Sequence, residues 1–177
     1  GNTFKEIKKD SLKIDFNIKI DISDDSAYGS SNFFASLSSK FNKVIRKVNP
    51  DLLMILGDRF EMLAAASVAV IHNIPICHLH GGESTEGAID DSIRHAITKL
   101  SSIHFVAHNK YRDRVIQMGE NPNNVHYVGA LGLSSINNKK FLNKLQIESL
   151  LNIKMRDKNL IVTYHPVTLA KDSINDI

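Results

Sequence analysis

Across residues 12–20, Leu12, Ile14, Phe16, Ile18 and Ile20 alternate with polar neighbours, which predicts a half-exposed strand. A Ser/Asp/Gly-rich stretch predicts a loop up to Ser31. Phe33, Phe34, Leu37, Phe41, Val44, Ile45 and Val48 then recur at three- and four-residue spacing, the apolar stripe of an amphipathic helix. Asn49-Pro50 closes it, because proline disfavours helical backbone in the residue before it. Residues 52–56 are continuously apolar, as in a strand buried on both faces, and Gly57-Asp58 opens an Ala-rich helix to about His72. Further along, the pattern predicts strands over 76–79, 103–107 and 125–128, with helices over 90–100 and 110–118 between them.

Strand and helix thus alternate along the body of the chain, the signature of a doubly wound parallel α/β sheet. Ligands of such sheets bind beyond the carboxyl ends of the strands. That rule nominates three loops: Gly57-Asp58-Arg59, residues 80–91 and residues 129–135. Residues 139–158 are expected to form a helical, basic connector, and Leu160-Ile-Val-Thr-Tyr164 a fresh strand ending in His165-Pro166. The chain opens on Gly1 and stops soon after that strand, so it is expected to continue at both ends.

Composition changes the picture little. The chain of 177 residues is 42% hydrophobic and 23% charged, which excludes disordered, collagen-like and coiled-coil classes. The net charge of +3 is local: six basic and two acidic residues fall within 139–158, leaving the remainder close to neutral. Nucleic acid is therefore not an expected partner. The lone Cys77 excludes an internal disulfide framework and fits a reducing compartment. The longest apolar stretch, 62–71, is interrupted by Ser67 and far short of the ~20 residues a membrane span needs. A cytoplasmic protein with no membrane partner is the expectation.

Several residues can carry chemistry. Asp58 and Arg59 follow a buried strand, where a carboxylate suits proton transfer and a guanidinium suits phosphate. Asp58 and Glu61 also have capping-box spacing for the next helix, an equally good reading. The loop His80-Gly-Gly-Glu-Ser-Thr-Glu-Gly-Ala-Ile-Asp-Asp91 gathers His80, Glu83, Glu86, Asp90 and Asp91. Glycines let backbone approach a ligand, and clustered carboxylates favour acid-base work. The plain alternative is a solvated turn with Asp90 or Asp91 capping the following helix. Asp90 with Arg94, and Asp91 with His95, are four apart and predict surface ion pairs. His72, His78 and His80 match no zinc spacing, so no metal is expected, and no cofactor motif is present. Gly129-Ala-Leu-Gly132 has room for a sugar or phosphate, and His165 at a strand end is suited to phosphate binding or proton transfer.

Three segments, Pro50-Asp-Leu-Leu-Met-Ile-Leu-Gly-Asp-Arg-Phe-Glu61, the run from His78 to Lys99, and Thr163-Tyr-His-Pro-Val-Thr168, together resemble the hydrolysing UDP-N-acetylglucosamine 2-epimerases. These enzymes begin sialic acid and legionaminic acid synthesis. The resemblance spans about Thr3 to Leu169. It implies two Rossmann-like domains in a GT-B arrangement, a nucleotide-sugar substrate between them, and a homo-oligomer. On that basis 1–138 is most of the N-terminal domain, 139–158 the connector, and 159–177 the beginning of the second domain. The implied reaction removes the C2 proton, eliminates UDP to a 2-acetamidoglucal, and adds water to give N-acetylmannosamine. Matched by motif, Asp58 and Asp90 take catalytic positions, Arg59 contacts UDP, and His165 meets the nucleotide sugar. Arg94 and Glu86 lie where substrate-binding groups are expected.

One position departs from the family pattern. His80 stands where many members carry a catalytic Glu, and the loop is one residue longer at Thr85-Glu86. Glu83 or Glu86 then supplies the displaced carboxylate, or His80 itself exchanges the proton; the sequence leaves all three open. The variant loop also fits a different substrate, the diacetamido-trideoxy sugar nucleotide of the legionaminic pathway. Two other functions stand beside the hydrolysing one: a non-hydrolysing 2-epimerase, and an inactive nucleotide-sugar-binding fragment. The 177 residues alone are expected not to turn over substrate.

Overall fold

A computed structural model describes residues 4–20, 23–85, 88–138 and 141–163. Four strands, β1 (Leu53–Leu56), β2 (Ile76–Leu79), β3 (Ile103–Val106) and β4 (Val125–Tyr127), form one sheet in the order β1-β2-β3-β4, all parallel. Helices α3 (Phe60–Ile71), α4 (Ile89–Leu100) and α5 (Asn109–Gln117) make the crossovers. Parallel crossovers are right-handed, so three that advance in one direction lay their helices on one side of the sheet, as in one wing of a doubly wound fold. The core lies there: Ile55, Ile76, Ile93 and Ile97 pack with Ala65, Ala66 and Ala69, whose small side chains let α3 sit close to the strands. Val106, Val115 and Val125 form a second cluster beneath α5.

Helix α2 (Ala27–Val48) precedes β1 and packs against α3. It starts at Ala27, inside the segment expected to be a loop. Local capping explains the extension: the Ser26 side chain accepts from Gly29 N at 3.1 Å, and Asp24 Oδ1 accepts from Ser26 N at 2.9 Å. The predicted end holds, with Asn49 in the left-handed region (φ 46°) as C-cap.

Residues 12–20 do not form the expected strand. Alternation marks an extended segment, but a strand also needs a ladder, and among the described residues only β2 pairs with β1. The segment is instead tethered to α2 where Lys40 Nζ donates to Lys19 O at 2.6 Å. Two shorter helices also differ from expectation. Helix α1 (Phe4–Lys9) was not signalled by any apolar period, and α6 (Leu131–Asn138) replaces most of the expected glycine loop. Among the described residues of the connector, only α7 (Lys144–Leu151) is helical, with Asn143 and Gln146 forming its capping box and Asn152 (φ 52°) ending it. Leu160, Ile161 and Val162 carry strand-like side chains, yet they are exposed and in no ladder, which a β-branched run requires to become a strand. Among the described residues no helix is long and apolar enough to cross a membrane.

Candidate active site

The loops after β1 and β2 meet at one corner of the sheet's carboxyl edge. Their junction is Arg94, on the second turn of α4 and only 5% exposed. Its Nη2 donates to Asp58 Oδ2 and, at 3.1 Å, to Thr85 Oγ1. Its Nη1 lies 3.6 Å from Asp91 Oδ1 and makes no hydrogen bond. One buried guanidinium therefore ties the turn after β1 to the loop after β2, and keeps an N–H unspent.

This arrangement corrects three expectations. Asp58 is not a capping residue: the N-cap of α3 is Arg59, whose side chain makes no cap bond, and the Asp58 carboxylate is turned to Arg94. Neither Asp90 nor Asp91 caps α4; its N-cap is Ala88, again without a side-chain bond. Arg94 is no surface partner of Asp90, because the residue is buried and its charge is answered by Asp58, 36 positions away. Asp91 does lie 3.7 Å from His95 as its spacing predicts. Its main partner is the loop, since Thr85 N donates to Asp91 Oδ1 at 2.9 Å. That backbone hydrogen bond holds the Asp91 carboxyl below the usual aspartate range.

His80 leaves β2 in the left-handed region at φ 64°. Backbone held there by a non-glycine residue is strained, and such strain collects at functional positions. Its N–H donates to Phe105 O at 2.9 Å, and its Nδ1 donates to Glu83 Oε1 at 2.8 Å. A neutral imidazole bound through Nδ1–H keeps Nε2 as a free base. The turn is anchored behind by Arg114, whose Nη1 donates to Gly82 O. Gly82 (φ 79°) must be glycine, as a Cβ there would meet Tyr111 O at 2.5 Å.

Arg59 points away from Asp58. Its Nη2 and Nε donate to Glu61 at 2.7 and 3.1 Å, while its side chain remains 74% exposed. It borders a hollow of about 680 Å³ shared with Lys19, Asp24, Ser30 and Phe33. A second hollow of about 680 Å³, mainly apolar but edged by Asp25, Ser30 and Ser31, is lined by Phe34, Phe60, Ile89 and Ile93. The turn at Gly129 follows β4, which is two strands beyond β2 and therefore about 10 Å across the sheet from it. Glu86 and His165 lie outside the described residues, as does the expected second domain beyond Thr163.

Sequence reasoning overlooked three contributors. Thr85 binds both Arg94 and Asp91. His78, which matches no metal spacing, is fully buried and reaches Gly57 O at 2.8 Å and Thr98 Oγ1 at 3.2 Å. Arg114 was read only as part of a helix. For His78 a signal did exist: an ionisable residue in the middle of an otherwise apolar strand needs buried partners.

Comparison with known proteins gives consistent findings. The family profile described as UDP-N-acetylglucosamine 2-epimerase matches residues 1–177. The chain is 43% identical, over 96% of its length, to the GDP/UDP-N,N'-diacetylbacillosamine 2-epimerase (hydrolyzing) of Campylobacter jejuni, covering 44% of that protein. It is 38% identical, over 98% of its length, to the UDP-N,N'-diacetylbacillosamine 2-epimerase (hydrolyzing) of Legionella pneumophila, covering 46%. The chain thus spans less than half the length of these curated relatives. Among solved structures, the UDP-GlcNAc 2-epimerase of Neisseria meningitidis bound to UDP-GlcNAc superposes with a TM-score of 0.70 at 17% identity, over 85% of this chain and 40% of that one. That likeness supports the fold: a Rossmann-like α/β unit of the GT-B-like kind.

Proposed function

Because the chain belongs to the UDP-N-acetylglucosamine 2-epimerase family, we propose that the intact protein is a hydrolysing 2-epimerase of a nucleotide-activated 2-acetamido sugar. The observation that carries this reading is Arg94 joining Asp58 to Thr85, which brings the turn after β1, with Asp58, against the loop after β2, with His80 and Glu83.

Inversion at C2 requires a proton to leave one face of the sugar and another to return to the opposite face. Asp58 and His80, at the ends of neighbouring strands, are assigned these two transfers. As the C2–H bond breaks, its electron pair forms the C1–C2 double bond and the C1–O bond breaks, its electrons leaving with the diphosphate. Water then adds its oxygen to C1 while C2 takes up a proton from the other side, so the free sugar leaves epimerised. We assign activation of that water to Asp90. Glu83 fixes the His80 ring through Nδ1 and leaves Nε2 to act, so the His80-Glu83 couple takes the place of the family's glutamate. Arg94 orients Asp58 and offers its unspent Nη1 to the sugar. Arg59 is assigned to the diphosphate, and His165 and Glu86 to the nucleotide sugar.

The favoured substrate is a 2,4-diacetamido-2,4,6-trideoxy sugar nucleotide, the class named for the Campylobacter and Legionella relatives. The mainly apolar hollow at the start of α4 supports it, since an acetamido methyl and a C6 methyl suit Phe60 and Ile89 better than the hydroxyls of N-acetylglucosamine do. The test is nucleoside diphosphate release by the intact protein, with the sugar product identified by NMR, on this substrate and on UDP-N-acetylglucosamine. His80→Ala is expected to lower kcat by about 10²-fold or more, and Glu83→Gln by less. A product still carrying its nucleotide would establish the non-hydrolysing reaction instead, and absence of turnover would leave a binding function only.

A further inference from the structure

The proposed chemistry makes no use of His78, although it is one of the costliest residues in the sheet. A fully buried imidazole is tolerated only with its polar atoms engaged. Its Nε2 lies 2.8 Å from Gly57 O. A carbonyl can only accept, so Nε2 carries the proton, and the neutral ring turns its Nδ1 lone pair toward Thr98 Oγ1 at 3.2 Å. The hydroxyl has one proton, which it gives either to Arg94 O at 2.9 Å or to His78 Nδ1, so the two contacts alternate. Arg94 returns through its guanidinium to Asp58.

These contacts close a ring: the Gly57 carbonyl, His78, Thr98, Arg94, Asp58, and back through the Gly57-Asp58 peptide bond. We infer that His78 is a positioning residue, which sets the Gly57-Asp58 turn, and with it the Asp58 carboxylate that Arg94 holds, in one geometry for catalysis. The inference rests on reading Asp58 and Arg94 as part of the reacting site.

Two further observations support it. The Gly57 peptide is held from both sides by β2, since Gly57 N donates to Leu79 O at 3.1 Å while Gly57 O receives His78. The direction in which Asp58 leaves β1 is therefore dictated by β2. The ring is also fitted tightly: a Cβ on Gly81 would stand 3.0 Å from both His78 Nδ1 and Thr98 Oγ1. A residue that merely fills the core needs no such network, and an apolar side chain of similar shape would serve at lower cost. Hydrogen bonds to a buried group hold one arrangement in place, and a proton-transfer group displaced by ~1 Å loses about 10²-fold in rate.

The test compares His78→Phe and His78→Gln in the intact protein, with UDP release from the favoured substrate as the assay. Phenylalanine keeps the volume and removes both hydrogen bonds, whereas glutamine can still donate to Gly57 O. His78→Phe is expected to lower kcat by about 10-fold or more with little change in KM, and His78→Gln to recover most of the loss. Wild-type kcat in His78→Phe, or equal impairment of the two variants, overturns the inference. Should His78→Phe fail to fold, Thr98→Val takes its place: it removes only the linking hydroxyl, and is expected to lower kcat by ~3-fold or more, with an unchanged kcat overturning the inference. Absence of release by the wild-type protein overturns the proposed reaction and this inference with it. Release by wild type with His78→Phe unaffected overturns this inference alone.

Discussion

Burial lowers the His78 pKa from 6.5 to about 4, with the Gly57 hydrogen bond opposing and the charges of His104 and Arg94 adding to the fall. The folded protein therefore resists a proton that the unfolded chain accepts, which makes stability pH-dependent. The sign follows directly. His78 contributes fully above its unfolded value near 6.5, and the contribution is lost as pH falls from there towards 4. A gap of that size is worth about 3 kcal/mol in total. About 2 kcal/mol of it goes between about pH 7 and about pH 5, before most carboxylates titrate. His78→Gln cannot titrate and isolates the effect, because the buried His104, whose pKa is lowered mainly by burial as well, is common to both proteins. Urea unfolding followed by far-UV circular dichroism suits a chain without tryptophan. Wild type is expected to lose about 2 kcal/mol more than His78→Gln between those two pH values. Parallel losses in the two proteins would refute the reasoning, and with it the buried neutral state of His78.

Three further outcomes are expected. Arg94→Met should destabilise by about 2–4 kcal/mol by leaving Asp58 unpaired, and in a double-mutant cycle with Asp58→Asn the two should couple by ~2 kcal/mol in urea unfolding. Gly82→Ala combines a left-handed φ with a backbone clash, so its thermal midpoint should drop by an amount corresponding to about 2 kcal/mol or more. Ile89→Ser, which makes the hollow at the start of α4 more polar, should lower kcat/KM for the diacetamido substrate by about 10-fold relative to that for UDP-N-acetylglucosamine, measured by competing the two substrates.

The elements that were legible in the sequence are those whose residues decide their own state. The strand over 76–79 was read to the residue because an apolar run between Asn73-Ile74-Pro75 and His80-Gly81 has no other outcome in an α/β chain. The strand expected over 12–20 failed because pairing depends on a neighbour, which local alternation does not reveal. The start of α2 was missed because the cap at Ser26 outweighs the weak helix propensity of its Ser and Gly residues. At the site, Asp58 and His80 at strand ends, Glu83 in the loop, and Asp90 and Arg94 on the next helix all stand out in the sequence as reactive types. Their partnerships do not. Arg94 has an acid four residues before it and binds another 36 away, a choice made by burial, which periodicity does not encode. His80 and Glu83 are the exception: three residues apart in a turn, they meet through local geometry alone.

Under the proposed function, helix α4 has a consequence for how the protein can diverge. At 3.6 residues per turn, Thr98 lies on the side opposite Ile89, and Arg94 lies nearer Thr98 than Ile89. One flank of the helix thus holds the ring that fixes Asp58, and the other borders the hollow assigned to the sugar's substituents. Mutations that retune which sugar is accepted can accumulate on the Ile89 flank while the catalytic geometry is inherited unchanged on the other. Substrate range and chemistry are then separable traits carried by a single twelve-residue element.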